Sequence, residues 1–124
     1  MGLMFANFRS FEAGPDAFGQ TWRVEFLWHQ NGIAIRHSDT VDVKFALWCG
    51  QTRLEKVIAL RHADLLELSR QAGRPVTDPW SIRLAALHLK HMIETGEDVE
   101  KTLVTPPLAA LEAHAGELGR AERR

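Results

Sequence analysis

The sequence predicts an α+β fold, an antiparallel β-meander of four to five strands followed by C-terminal helices packed on one face. Three observations carry this. Residues 21–60 alternate apolar and polar side chains in successive short runs separated by turn residues, the period-2 pattern of half-buried strands. From residue 63 the apolar spacing changes to that of a helix. Asp78-Pro79 and Gly96 bracket one long helical stretch with a start signal and a stop signal.

The elements follow in order. Residues 1–20 read as an N-terminal arm or an edge strand, because Phe5, Phe8 and Phe11 fit neither period well. Gly14-Pro15-Asp16 is a turn. Trp22, Val24, Phe26 and Trp28 alternate with Arg23, Glu25, Leu27 and His29 in the first strand of the meander. Asn31-Gly32 is the strongest short hairpin signal, since both central residues of that turn need positive φ. A turn there predicts a strand Ile33–His37, with Trp28 opposite Ile35 and Phe26 opposite His37. A loop at Ser38-Asp39-Thr40 then sets Ile35 against Val43, Ile33 against Phe45 and Arg36 against Asp42. Val41–Trp48 is the next strand, Gly50-Gln51 the next turn, and Leu54–Leu60 the returning strand. That register sets Leu47 opposite Leu54 and Val43 opposite Ile58. Lys56 falls on the apolar face, a misfit that fits an edge position or a snorkelling side chain.

The helical part spans 63–118. Asp64-Leu-Leu-Glu67 reads as an N-cap with Glu at the third helical position. That helix stops at Gly73. The long helix Asp78–Thr95 carries two apolar stripes. Ile82, Ala85, Ala86, Leu89, Met92 and Ile93 face the sheet, and Trp80, Leu84, Leu87 and His91 lie opposite. Ser81, His88 and Thr95 separate the stripes on one flank. Asp98–Val104 is expected as a short helix. Thr105-Pro106-Pro107 ends it and starts another, with Leu108, Leu111, Ala115 and Leu118 at helical spacing; residues 119–124 read as a frayed tail.

Composition narrows the class. The 124 residues are 45% hydrophobic and 25% charged, with four Trp and six Phe, proportions of one globular domain. Residues 1–60 hold six basic and six acidic side chains, and residues 61–124 hold nine and ten. Neither half has a field that would steer it to nucleic acid or an anionic membrane. Cys49 is the only cysteine, which points to a reducing, cytoplasmic setting. No secretory leader is expected at the N-terminus, and Ala6 breaks the myristoylation pattern after Gly2. No apolar stretch approaches the ~20 residues of a membrane span.

No catalytic, metal or nucleotide motif is expected, and no cofactor. His88, His91 and Glu94 share one helix, but residues six apart are roughly 240° apart around it, so the three do not form a zincin-like site. His62 and Asp64, with His88, are the candidate ligand-site residues, an acid–base pair at a strand-to-helix junction. Cys49 reads as a structural thiol unless His29 or His37 lies beside it. Helices 65–72 and 80–92 resemble a helix-turn-helix in outline, but Pro79-Trp80 would open the recognition helix with poor base-edge readers. The leading expectation is a non-catalytic interaction module that self-associates, as a homodimer or with a protein partner, through Trp80, Leu84, Leu87 and His91. A small-molecule or enzyme site and weak nucleic-acid binding are the alternatives.

Overall fold

A computed structural model describes residues 8–32 and 39–122. The chain forms β1 (Ser10–Ala13), β2 (Trp22–Gly32), β3 (Thr40–Cys49), β4 (Thr52–Arg61), α1 (His62–Ala72), α2 (Asp78–Thr95), β5 (Leu103–Val104) and α3 (Leu108–Glu122). The five strands form one sheet in the order β1-β2-β3-β4-β5. It is antiparallel except for β5, which returns parallel to β4 after α1 and α2. The α+β reading holds, with β1 as the N-terminal edge strand, but the fifth described strand is the parallel β5 and not a member of the expected antiparallel meander.

The hydrophobic pattern sets the register. Val43 pairs with Ile58 and Leu47 with Leu54, as the alternation predicts. Val24, Val43, Phe45, Leu47, Ile58 and Leu60 are buried on the inner face. Phe45 meets Phe11 and Phe26 edge-on at 6.4 and 6.2 Å between ring centroids, an arrangement favoured by the aromatic quadrupole. The outer face is polar and internally paired. Glu55 holds Lys44 and Arg53, each at 2.8 Å, and these two cations lie over Trp28 and Trp48.

The Asn31-Gly32 turn does not form. β2 continues through both residues, and Asn31 pairs with Val41 and Gly32 with Thr40. Trp28 faces Lys44 instead of Ile35, Phe26 faces Phe45, His29 faces Val43 and Gln30 faces Asp42. A bulge between Phe26 and Trp28 re-phases the strand. The expected strand Ile33–His37, with Ile35 and Arg36, lies outside the described residues.

Helix ends follow local chemistry, with two corrections. α1 begins at His62 with Arg61 as its N-cap, so Asp64 lies in the first turn and does not cap it. Thr77, not Asp78, caps α2, its hydroxyl accepting from the Trp80 N–H at 3.3 Å. Gly73 and Gly96 close α1 and α2 in the left-handed conformation that the stop signals predict. The expected helix 98–104 is replaced by a turn and β5. α3 carries on past Gly116 and Gly119 to Glu122 with Leu118 buried; residues 123–124 of the expected tail lie outside the described residues.

Helices α1 and α2 lie on the inner face, and α3 lies against both of them. Consequently α2 is buried on two sides. Its sheet-facing residues Ile82, Ala85, Ala86, Leu89, Met92 and Ile93 are buried, and so are Trp80, Leu84 and Leu87 of the opposite stripe. Even the flank residues Ser81 and His88 are buried, at 1% and 2% exposure.

Candidate functional site

Burial decides first which of the expected site residues are available. Trp80 and Leu84 are buried within the chain, and Leu87 nearly so. Only His91 of that stripe reaches solvent, where its Nε2 lies 3.2 Å from a Glu97 carboxylate oxygen. The stripe is covered by the chain itself and presents no apolar surface to a second subunit.

The candidate ligand residues separate into two places. His62 and Asp64 stay in the first turn of α1, where Asp64 Oδ2 is 3.4 Å from Arg61 Nε, near enough for an ion pair but not aligned as a hydrogen bond. His88 instead joins a cluster in the helical layer. Its Nδ1 is 3.1 Å from Nε2 of His114 on α3. The His91 ring stands 6.0 Å, centroid to centroid, from each of the other two. Burial, reinforced by the neighbouring imidazoles, pushes both His88 and His114 down to about 4, with Asp98 opposing this at His88. His114 sits between Leu111 and Leu118 on the covered side of α3, and nothing in its sequence neighbourhood marks it beyond that apolar spacing. Among the described residues no histidine lies beside Cys49 in the sheet, since it pairs with Thr52 while His29 pairs with Val43 and reaches Asp78 at 3.2 Å; His37 lies outside the described residues.

Two clefts open on the described surface. The larger, about 510 Å³, lies between α1 and α3 and is lined by Gln71, Arg74, Trp80, Glu112 and Arg120 among others. Its polar walls are tied to each other: Gln71 donates to both Glu67 and Glu112, at 2.8 and 3.0 Å, and Arg74 lies over the Trp80 ring.

The smaller, about 270 Å³, has apolar walls. The loop between β1 and β2 supplies Phe18, the start of β2 Trp22, the β3–β4 hairpin Leu47 and Leu54, the end of α2 Ile93, and the following turn Val99. Asp16 organises the first wall. Its carboxylate accepts the Phe18 and Gln20 amide N–H groups at 2.9 Å each and the Trp22 indole N–H at 3.0 Å, and these donors, Trp22 first, hold its carboxyl below the ordinary value. Gly14 permits the turn, because at φ 138° a Cβ there would meet the Gln20 carbonyl at 2.7 Å.

Lys56, the misfit of the apolar face, lines this pocket. The residue is 6% exposed, and its ammonium donates to the Val99 and Lys101 carbonyls at 2.6 Å each. It is neither an edge residue nor a snorkelling one. It fastens the α2–β5 turn over the end of the hairpin. Burial lowers its pKa, with Glu100 opposing. An ammonium has three N–H donors, so one remains after the two carbonyls.

No known protein family matches the chain, and neither a curated protein nor a solved structure is similar to it.

Proposed function

We propose that this chain is a non-catalytic binding domain that seats a compact apolar ligand in the pocket above Lys56. One observation carries the reading. Phe18 is 87% exposed, Leu54 42% and Val99 41%, and all three line that one apolar pocket. Large apolar side chains gathered at a cleft mark a binding site more often than chance exposure does. Covering them contributes about 25 cal/mol per Å² removed from water. The remaining Lys56 N–H suits a ligand that ends in a carboxylate or another oxygen acceptor. The lone Cys49 is in keeping with a reducing compartment.

Trp22 lines the pocket and supplies a fluorescence signal. Titration with naphthoate, an apolar body with one carboxylate, should saturate at one site per chain. Phe18→Ala should weaken it several-fold. Lys56→Met should weaken naphthoate more than neutral methylnaphthalene, since it removes the ammonium as well as loosening the Val99 wall. A titration that does not saturate, or one indifferent to both substitutions, contradicts the reading.

Self-association is the second reading, and Phe18 favours it. At 87% exposure this ring is available to a second copy. Sedimentation at rising concentration tests this; a monomer throughout removes it.

A further inference from the structure

The chain has four lysines, and three of them pair with carboxylates: Lys44 with Glu55, Lys90 with Glu94 and Lys101 with Asp98. Lys56 is held differently. Its Nζ donates to two uncharged groups, the Val99 and Lys101 backbone carbonyls, at 2.6 Å each. It is also the only amine among the described residues that line the apolar pocket. We propose that Lys56 captures an apolar aldehyde in this pocket as a reversible imine, an inference that rests on the pocket being a site for compact apolar ligands.

The partners of the nitrogen suit this chemistry. A carboxylate partner holds a lysine in its charged form, whereas a carbonyl accepts an N–H from the ammonium or from the neutral amine. The neutral amine has two N–H groups and one lone pair. Two carbonyls accept both N–H groups, so losing the third proton breaks neither hydrogen bond. The lone pair then takes the direction that the third N–H had. Burial favours the neutral form and lowers the pKa, with Glu100 opposing by its charge. Asp16, the carboxylate of the same pocket, already accepts from Phe18, Gln20 and Trp22. As an ammonium the group suits a carboxylate ligand; as an amine it is a nucleophile toward a carbonyl carbon.

The step needs no oxidant or reductant. The lone pair of Nζ forms a C–N bond to the aldehyde carbon, and the C=O π pair moves to oxygen. One proton passes from nitrogen to that oxygen and gives a carbinolamine. The hydroxyl then leaves with the second nitrogen proton as water, and the C=N bond forms. Amine and aldehyde become imine and water, and hydrolysis reverses the step. A protonated imine keeps a single N–H, so one of the two carbonyls is released on capture. The turn that carries Val99 and Lys101 therefore reports the reaction.

The test treats the full chain with naphthaldehyde and cyanoborohydride, which reduces a protonated imine to a stable amine, and locates the label by peptide mapping. The expected result is one label per chain at Lys56, formed several-fold faster than at Lys44, Lys90 or Lys101. Methylnaphthalene, which fills the pocket without reacting, should suppress labelling at Lys56 and leave the other three lysines unaffected. This comparison needs no variant to fold. Labelling spread evenly over the four lysines would overturn the proposal, and so would Lys56 labelling that methylnaphthalene leaves unchanged. Saturable naphthoate binding without Lys56 labelling overturns capture alone. Failure of naphthoate and methylnaphthalene to bind at all overturns the pocket reading, and capture with it.

Discussion

His88 Nδ1 on α2 and His114 Nε2 on α3 approach to 3.1 Å, with both residues under 8% exposed. This contact ties the outermost helix to the long central one. It also makes the helical layer sensitive to acid. Both groups are held at about 4 in the folded chain against an ordinary value of 6.5. Between these values the unfolded chain binds more protons than the folded one, so stability rises with pH across the window. The contribution is fully present above about pH 6.5 and is lost as pH falls toward 4. The slope is at most about 1.4 kcal/mol per pH unit for each histidine. Denaturant unfolding at a series of pH values should show this decline, and His114→Gln should reduce it. A flat profile from pH 7 to 4 would show that these histidines do not set acid stability.

Leu84→Ala separates a core role from an interface role. Leu84 is 0% exposed, so its truncation should destabilise the chain by about 2–5 kcal/mol. Subunit number should not change. Urea unfolding and sedimentation together read both quantities.

Lys56→Met should also destabilise, through a different cause. The substitution leaves the Val99 and Lys101 carbonyls without the ammonium. Both residues are exposed, so water satisfies part of the loss, and about 1–3 kcal/mol is expected. Amide hydrogen exchange should accelerate in residues 97–102 more than in β3. Uniform acceleration would mean that Lys56 does not anchor this turn specifically.

Much of this fold was legible because the residues that decide it are neighbours in sequence. Leu47 and Leu54 flank one short turn, Gly73 and Gly96 end their own helices, and the two stripes of α2 lie on one helix. The Asn31-Gly32 turn was misleading for the opposite reason. A two-residue turn satisfies local φ preferences, but the bulge at Phe26/Trp28 and the pairing of β2 directly with β3 are decided by burial across the sheet. β5 has two residues, too few to show a period. Of the candidate sites, Lys56 announced itself as a charge on an apolar face. The rest of its pocket could not be read, because Phe18, Leu54, Ile93 and Val99 come from four segments. His114 likewise meets His88 only because α3 folds back over α2.

Gly14→Ala should weaken the loop wall of the pocket. An added Cβ would meet the Gln20 carbonyl at 2.7 Å at a φ of 138°, a strain of about 1–3 kcal/mol. The Trp22 indole N–H, now held by Asp16 at 3.0 Å, should shift in the proton spectrum. An unchanged indole resonance would show that the loop tolerates the side chain.

The binding reading is tested most directly by mapping amide and indole shifts of isotope-labelled protein as naphthoate is added. The expected perturbations gather at Phe18, Trp22, Leu54, Gly96 and Val99, the surroundings of the pocket above Lys56. Perturbations centred on Gln71 and Glu112 in the larger cleft, or none that saturate, would contradict it.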